Sequence, residues 1–134
     1  MKPYKIMIVD DEPHVIRILR LALEKAGYAV ASANDGNEAL GAFAGFAPDV
    51  LISDIQMAGM DGRELCTTVR QRYPEQRCLI LVMTSMTAMS ERSWARDLSN
   101  TDFLEKPLSP RQLVARLATH FAALDAAPES THGA

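Results

Sequence analysis

The sequence has little of what marks membrane, secreted or nucleic-acid-binding proteins. Its 134 residues contain no apolar run of about 18 residues, so no membrane span is expected. A net charge of −3 argues against the basic surface that nucleic-acid binding requires. The two cysteines, Cys66 and Cys78, lack the spacing of a metal site and are interpreted as free thiols in a reducing compartment. We therefore expect a cytoplasmic protein with no direct nucleic-acid or membrane partner.

No internal repeat, linker or low-complexity block divides the chain, and residues 1–5 lack a signal-peptide pattern. Apolar residues make up 48% and charged residues 23%, which is ordinary for a globular protein. A chain of this length can bury a substantial core without disulfides or metal. We expect one domain over residues 1–125 and a flexible polar tail over residues 126–134.

Short apolar runs alternate with helical patterns along the chain. Five runs are typical of strands: Lys5–Val9, Ala29–Ala33, Val50–Asp54, Leu79–Met83 and Asp102–Glu105. The run Val50–Asp54 does not alternate and is interpreted as a strand buried on both faces. The helical patterns run from Pro13 to before Gly27, from Asn37 to Phe43, from after Gly62 to before Pro74, from Ser90 to Leu98 and from Pro110 to about Leu124. This alternation predicts an α/β fold, a doubly wound parallel sheet of five strands with five helices.

The first and the last of these helices have apolar residues at helical spacing, the third bears Leu65, Cys66 and Val69, and the fourth has Trp94, Ala95 and Leu98 on its apolar side. The first is expected to bury Val15, Ile18, Leu19, Ala22 and Ala26. The last begins with the capping box Ser109-Pro110-Arg111-Gln112 and is expected to bury Leu113, Val114, Leu117, Phe121 and Leu124.

Polar residues that can do chemistry fall at the ends of the predicted strands: Asp10, Asp11, Asp54, Thr84 and Lys106. Because the carboxyl ends of parallel strands lie at one edge of a sheet, these side chains are expected to converge. Hard carboxylate oxygens suit Mg²⁺ rather than zinc. One carboxylate can act as a nucleophile that forms an acyl phosphate, and a lysine can offset charge on the transferring group.

These residues resemble the motifs of the receiver domains of two-component response regulators, the CheY-like superfamily. The resemblance extends over Lys5 to Leu124 and includes Met60-Asp61-Gly62 and Phe103-Leu104-Glu105-Lys106-Pro107. It implies a flavodoxin-like sheet with strand order 2-1-3-4-5. It also implies a signalling domain that catalyses only its own phosphorylation and dephosphorylation.

The resemblance implies a role for each residue of the set. Asp54 would accept the phosphoryl group, and Mg²⁺ would be held by Asp11, Asp54 and the backbone carbonyl of Gln56, with Asp10 acting largely through water. Lys106, followed by a cis bond to Pro107, would pair with the phosphoryl oxygens. Thr84 would donate its hydroxyl to the same group.

The resemblance also implies partners. The donor would be a sensor histidine kinase or a histidine phosphotransfer protein. Phosphorylation would move Phe103 inward and switch the face formed by the fourth predicted helix, the fifth strand and the last helix. An output protein of unknown identity would bind that face, and a phosphorylation-dependent homodimer is a further possibility. Trp94 lies on the fourth predicted helix and is a candidate for partner contact.

The chain departs from the family pattern in the turns. Ala58 stands where the family usually has proline, and Ser99-Asn100 replaces the usual Gly-Ala pair. Asparagine tolerates positive φ, so we expect the second turn to be kept. Gln56 and Met86 occupy positions that tune the phosphoryl lifetime in the family, and the sequence predicts no value for it.

Two alternatives stay open. The chain could be the receiver portion of a larger regulator or of a hybrid kinase; a DNA-binding regulator would need an effector domain outside these residues. An aspartate-nucleophile phosphatase is disfavoured, because Gln56 stands where such enzymes place a second carboxylate.

Overall fold

A computed structural model describes residues 3–85, 94 and 98–126. Its five strands are β1 (Lys5–Val9), β2 (Ala29–Ala33), β3 (Val50–Asp54), β4 (Leu79–Thr84) and β5 (Thr101–Glu105). The helices of the described residues are α1 (Pro13–Lys25), α2 (Gly36–Phe46), α3 (Gly62–Arg72) and α4 (Pro110–Ala126). No described helix combines the length and the apolar composition that a membrane crossing requires.

The five strands form one parallel sheet in the order β2-β1-β3-β4-β5. This order and the doubly wound α/β architecture confirm the predicted fold. β1 and β3 lie inside the sheet, and every residue of β3 is buried, because helices cover both of its faces. The helix predicted from Ser90 to Leu98 lies outside the described residues, apart from Trp94 and Leu98.

The two faces of the sheet have separate cores, because successive side chains of a strand point to opposite faces. On one face, Met7 and Val9 of β1 pack with residues of α2 and α3, among them Phe43 and Leu65. On the other face, Ile6 and Ile8 pack with residues of α1 and α4. Both cysteines are free and buried, and burial raises the pKa of the Cys66 thiol to about 12.

Three details of the helices differ from the sequence prediction. In α1 the buried residues are Ile16, Leu19 and Leu23, whereas Ile18 is 51% exposed, because the buried stripe is rotated by less than a quarter turn from the one predicted. In α4, Leu124 is 53% exposed because it lies beyond the part of the helix that packs on the sheet. α2 continues past Gly41 and Gly45 to Phe46, so tertiary packing outweighs the low helix propensity of glycine.

Candidate functional site

The carboxyl ends of the three central strands bring buried polar residues to one edge of the sheet. Asp54 ends β3 with 2% exposure, Thr84 ends β4, and Asp10 follows β1 with 1% exposure. Backbone hydrogen bonds tie these ends together: Ile55 N–H donates to the Met83 carbonyl at 3.1 Å, and Lys106 N–H donates to the Thr84 carbonyl at 2.8 Å. The predicted convergence at this edge is therefore present.

Asp54 is paired with Lys106. The Lys106 ammonium Nζ lies 2.8 Å from Asp54 Oδ1, and the backbone N–H of Gln56 donates to the same oxygen at 3.3 Å. Lys106 is only partly exposed and the Asp54 carboxylate is almost completely buried, so the ion pair is shielded from screening by water. The Lys106–Pro107 peptide bond is cis, as the resemblance implied.

Asp10 has one satisfied and one unsatisfied carboxylate oxygen. Oδ1 accepts a hydrogen bond from the Glu12 backbone N–H at 2.9 Å, but Oδ2 is buried without a hydrogen-bond partner among the described residues. Burial raises the pKa of this carboxyl, and the nearby Asp54 adds to the rise, while the Glu12 N–H and Lys106 oppose it. Asp10, Asp54 and Lys106 thus act on one another electrostatically.

The acidic residues of this edge fit a divalent cation. Carboxylate oxygens of Asp10, Asp11 and Glu12 lie within 4.8 Å of one another, with Asp10 buried and the other two exposed. Hard oxygen donors of this kind suit Mg²⁺, and the unpartnered Oδ2 of Asp10 is an available ligand. Glu12 joins Asp10 and Asp11 in this group, and the electrostatic effect of Asp54 on Asp10 places these two carboxylates near each other, so Asp54 as a further ligand stays a prediction. Glu12 directly follows Asp10-Asp11 in the chain, which is the only signal for it in the sequence.

The start of α3 fixes the turn that follows Asp54. Asp61 caps the helix by accepting a hydrogen bond from the Glu64 N–H. Gly62 packs directly on the end of β3: a Cβ at this residue would lie 2.3 Å from the Asp54 carbonyl oxygen. Its N–H also donates to the Ile55 carbonyl at 2.9 Å. Glycine at this position is therefore required for α3 to begin beside the Asp54 backbone.

Thr84 and Phe103 lie on the β4–β5 side of the site. The Thr84 hydroxyl is buried and donates weakly to the Ser85 carbonyl at 3.4 Å, so the structure places Thr84 at the edge without showing a bond to Asp54. Phe103 of β5 is partly buried and packs edge-on against Trp94, with 5.7 Å between ring centroids. One member of this aromatic pair, Phe103, therefore lies on the strand that leads to Lys106.

The turn before β5 keeps the conformation that the sequence predicted. Asn100 has a φ of 52°, the left-handed region that asparagine tolerates, and its carbonyl accepts a hydrogen bond from Ile80 N–H at 2.9 Å. Asparagine thus replaces the usual small residue without loss of the turn. In the loop after β3, Gly59 has a φ of 73°, which glycine adopts readily. The turn that contains Ala58 is therefore formed without the proline that the family usually has at that position.

Known proteins that resemble the chain share this fold. The family model described as "Response regulator receiver domain" matches residues 6–118. A Vibrio cholerae chemotaxis protein, CheY4, is 32% identical, covers 87% of this chain and 98% of its own, and superposes with a TM-score of 0.80. The REC domain of AraT, a response regulator from Geobacillus stearothermophilus, is 30% identical, covers 91% of this chain and 98% of its own, with a TM-score of 0.75.

Curated relatives are longer than this chain. The Guillardia theta protein named "Probable transcriptional regulator ycf27" is 35% identical over 96% of this chain and 49% of its own length. The chain thus spans about half the length of the curated relatives it matches. The family match over most of the chain, together with the acidic edge of a five-stranded parallel sheet, shows that it belongs to the response regulator receiver domains of two-component systems.

Proposed function

We propose that Asp54 is the phosphoacceptor of this receiver domain. The observation that carries the proposal is the buried Asp54 carboxylate held by Lys106 Nζ at 2.8 Å, at the edge where β3, β4 and β1 end. A carboxylate oxygen of Asp54 attacks phosphorus of a phosphodonor, and the resulting acyl phosphate remains on the protein until water removes it. The domain therefore acts on its own phosphorylation state and turns over no other substrate.

The neighbours of Asp54 orient the reacting group. The Gln56 N–H and the Lys106 ammonium both donate to Oδ1, which leaves the lone pairs of Oδ2 for attack on phosphorus. Once the phosphoryl group is attached, Lys106 is near enough to pair with its oxygens. Thr84, buried at the end of the adjacent strand, is the hydroxyl that turns from the Ser85 carbonyl to the phosphoryl group.

Receiver domains of this family bind Mg²⁺ at an acidic pocket. Here Asp10, Asp11 and Asp54, with the Gln56 backbone carbonyl, would hold the ion, and Glu12 is a further candidate. When bound, Mg²⁺ supplies positive charge that offsets the charge of the transferring phosphoryl group. The chain's own contribution is the desolvated Asp10 carboxylate, whose free Oδ2 favours occupation by a cation.

The new phosphoryl contacts are strong enough to shift a conformational equilibrium. Hydrogen bonds to charged groups contribute about 1.5–3 kcal/mol each, so Thr84 and Lys106 together would supply ~3–6 kcal/mol. Moving a two-state equilibrium from 1:99 to 99:1 needs about 5.5 kcal/mol. Phosphorylation would move Phe103 with Thr84 and so alter the surface around Trp94, β5 and α4, where an output partner or a second copy of the chain would bind.

Receiver domains of response regulators interact with histidine kinases. We propose a cytoplasmic setting, with a sensor kinase or a histidine phosphotransfer protein as donor. The domain would comprise residues 1–125, with residues 126–134 as a tail or as the connection to an effector domain. The twofold greater length of the curated relatives supports a place in a larger regulator.

The test is covalent labelling in a magnesium-containing buffer. Acetyl phosphate or phosphoramidate should add one phosphoryl group, detected by intact-protein mass spectrometry, and Asp54→Asn should abolish it. Asp35→Asn is the matched control, since Asp35 caps α2 and asparagine caps equally well. Undiminished labelling of Asp54→Asn would overturn the assignment.

A further inference from the structure

A cavity of about 690 Å³ lies at the edge of the sheet opposite Asp54, where β4 and β5 begin. Its lining comprises Arg70 of α3, residues 74–77 of the loop that leads to β4, and Ser99 and Asn100 of the turn before β5. A volume of this size is in the range of small-molecule sites. Because most of the lining residues are polar or charged, the cavity suits a polar ligand.

Two arginines of this lining carry charges that no carboxylate of the described residues neutralises. Neither Arg70 nor Arg77 belongs to an ion pair among those residues. The half-buried Arg70 donates to three backbone carbonyls, those of Gln76, Cys78 and Asn100, while its Nε is buried without a described hydrogen-bond partner. Since a charge withdrawn from water is stabilised by an opposite charge, this arrangement favours an anion in the cavity.

We propose that this cavity is a second site, which binds the phosphate group of a small hydroxylated phosphate ester such as a sugar phosphate. Arg77 is exposed and lines the cavity, and a guanidinium matches two phosphate oxygens at once. Arg70, tethered by its carbonyl contacts, contributes a second positive charge that is fixed in place. The inference does not depend on the role of Asp54, which lies at the other edge of the sheet.

The rest of the lining suits hydroxyl groups better than a second anion. Glu75 lines the cavity, so its carboxylate repels a further negative group but accepts hydrogen bonds from hydroxyls. The Asn100 side-chain nitrogen donates to the Arg77 carbonyl at 3.3 Å, which leaves the amide oxygen of Asn100 as an acceptor. The Ser99 hydroxyl can donate or accept. One anionic group and several hydroxyls are therefore the ligand chemistry that fits these residues.

The test titrates the protein with glucose 1-phosphate, inorganic phosphate and glucose in magnesium-free buffer of constant ionic strength. Binding is followed through backbone amide signals in NMR spectra. Glucose 1-phosphate should shift the signals of Gln76, Arg77 and Asn100 saturably and leave that of Gln56, at the acidic edge, unmoved. It should bind more tightly than inorganic phosphate, because only the ester brings hydroxyls, and glucose alone should not bind measurably.

Arg77→Gln should weaken the binding of both phosphates by roughly tenfold, the effect of losing one hydrogen bond from a charged donor. Arg72→Gln is the matched control: Arg72 is an exposed arginine of the same segment that does not line the cavity, and its replacement should leave both affinities unchanged. Glu75→Gln should strengthen the binding of inorganic phosphate and reduce the preference for the ester. Because all three residues are exposed, thermal unfolding of the variants should match that of the unsubstituted protein.

The variants and ligands separate a built site from general attraction to positive charge. Equal weakening by Arg77→Gln and Arg72→Gln would overturn the site. Absence of saturable binding by both phosphates, or shifts confined to the acidic edge, would overturn it as well. If glucose 1-phosphate binds no more tightly than inorganic phosphate, the assignment to a hydroxylated ester is wrong.

Discussion

Asp10 is a buried carboxylate with an oxygen that finds no hydrogen-bond partner among the described residues. Burial and the proximity of Asp54 raise its pKa, so the folded protein disfavours the charged form. An unsatisfied buried group costs about 1–3 kcal/mol, and nothing in the packing of the two cores requires an acid here. The arrangement is understandable if the carboxylate is kept for a cation.

Asp10→Asn should therefore stabilise the protein in the absence of Mg²⁺. Because the folded-state pKa of Asp10 is raised above the ordinary pKa of an aspartate, its stabilising contribution is present below that ordinary pKa and is lost as the pH rises through the folded pKa. The stability advantage of the variant should thus widen from pH 4 to pH 7, reaching about 1–3 kcal/mol in urea unfolding.

Asp11→Asn is the control for Asp10→Asn, because Asp11 is the neighbouring acid and is exposed. Its replacement should alter the free energy of unfolding much less. Added Mg²⁺ should stabilise the unsubstituted protein more than Asp10→Asn. If the stability advantage of Asp10→Asn is absent at neutral pH, or shrinks as the pH rises, burial of the charged Asp10 carboxylate does not destabilise the folded state.

The residues of the site could be predicted from strand ends, whereas their individual contacts could not. Asp54 ends the buried strand β3 and Lys106 directly follows β5, and parallel topology alone brings them to the same edge. The place of Glu12 in the acidic group and the unpartnered oxygen of Asp10 depend on side-chain rotamers, which periodicity does not encode. The exposure of Ile18 was missed because Val15, Ile18 and Leu19 also match helical spacing.

Among the elements, α3 depends on Gly62 for its position. Gly62→Ala should destabilise the protein by about 1–3 kcal/mol, because the new methyl group would overlap the Asp54 carbonyl and force α3 away from β3. Gly41→Ala in α2 is the matched control, since a Cβ there meets nothing within 4 Å; it should stabilise by about 0.5–1 kcal/mol. Urea denaturation of both variants measures the difference, and similar effects in the two would contradict the close approach.

Arg70 joins the end of α3 to the loops on the opposite edge of the sheet. Its guanidinium donates to the carbonyls of Cys78 at 2.9 Å and Asn100 at 3.0 Å, and more weakly to that of Gln76 at 3.4 Å. One side chain thus holds the start of β4 and the turn before β5. Asn100 needs this support because its positive φ is costly for a residue other than glycine.

Arg70→Met should lower the free energy of unfolding by about 1.5–3 kcal/mol, the range for hydrogen bonds made by a charged donor. Methionine keeps much of the apolar stem, so the change isolates the guanidinium. Arg72→Met, an exposed arginine in the same last turn of α3, should have an effect within about 0.5 kcal/mol. Equal losses in urea unfolding would mean that the carbonyl contacts of Arg70 contribute nothing specific.

The ends of helices were predicted correctly where a residue with a strong turn or capping preference flanks the helix. Gly27, with a φ of 101°, follows the end of α1, and Ser109 accepts a hydrogen bond from the Gln112 N–H at the start of α4, as the capping box predicts. The extent of α2 was wrong because Gly41 and Gly45 lower helix propensity, while Leu40 and Phe43 are held by tertiary packing. In α2 the burial of Leu40 and Phe43 outweighs the low helix propensity of the two glycines.

In the whole molecule, the sheet connects the acidic edge to the surface around β5. β5 is the last strand in the sheet order, next to β4, and its end is tied to the site through the Lys106 N–H bond to Thr84. Phe103 lies on this strand three residues before Lys106 and contacts Trp94 edge-on. A rearrangement that recruits Lys106 and Thr84 to a phosphoryl group would therefore be transmitted to an aromatic pair on a lateral surface.

The emission of Trp94, the chain's one tryptophan, should report that rearrangement. Beryllofluoride with Mg²⁺ imitates an aspartyl phosphate, so its addition should change Trp94 fluorescence in a saturable way. Asp54→Asn should abolish the fluorescence change, and Thr84→Ala should weaken it, because it removes one contact of about 1.5–3 kcal/mol that favours the phosphorylated conformation.

Phe103→Leu should keep beryllofluoride binding, measured by calorimetry, while reducing the change in Trp94 fluorescence. A full response in Asp54→Asn would place its origin elsewhere, and binding without any response in the unsubstituted protein would mean that β5 does not couple the site to this surface.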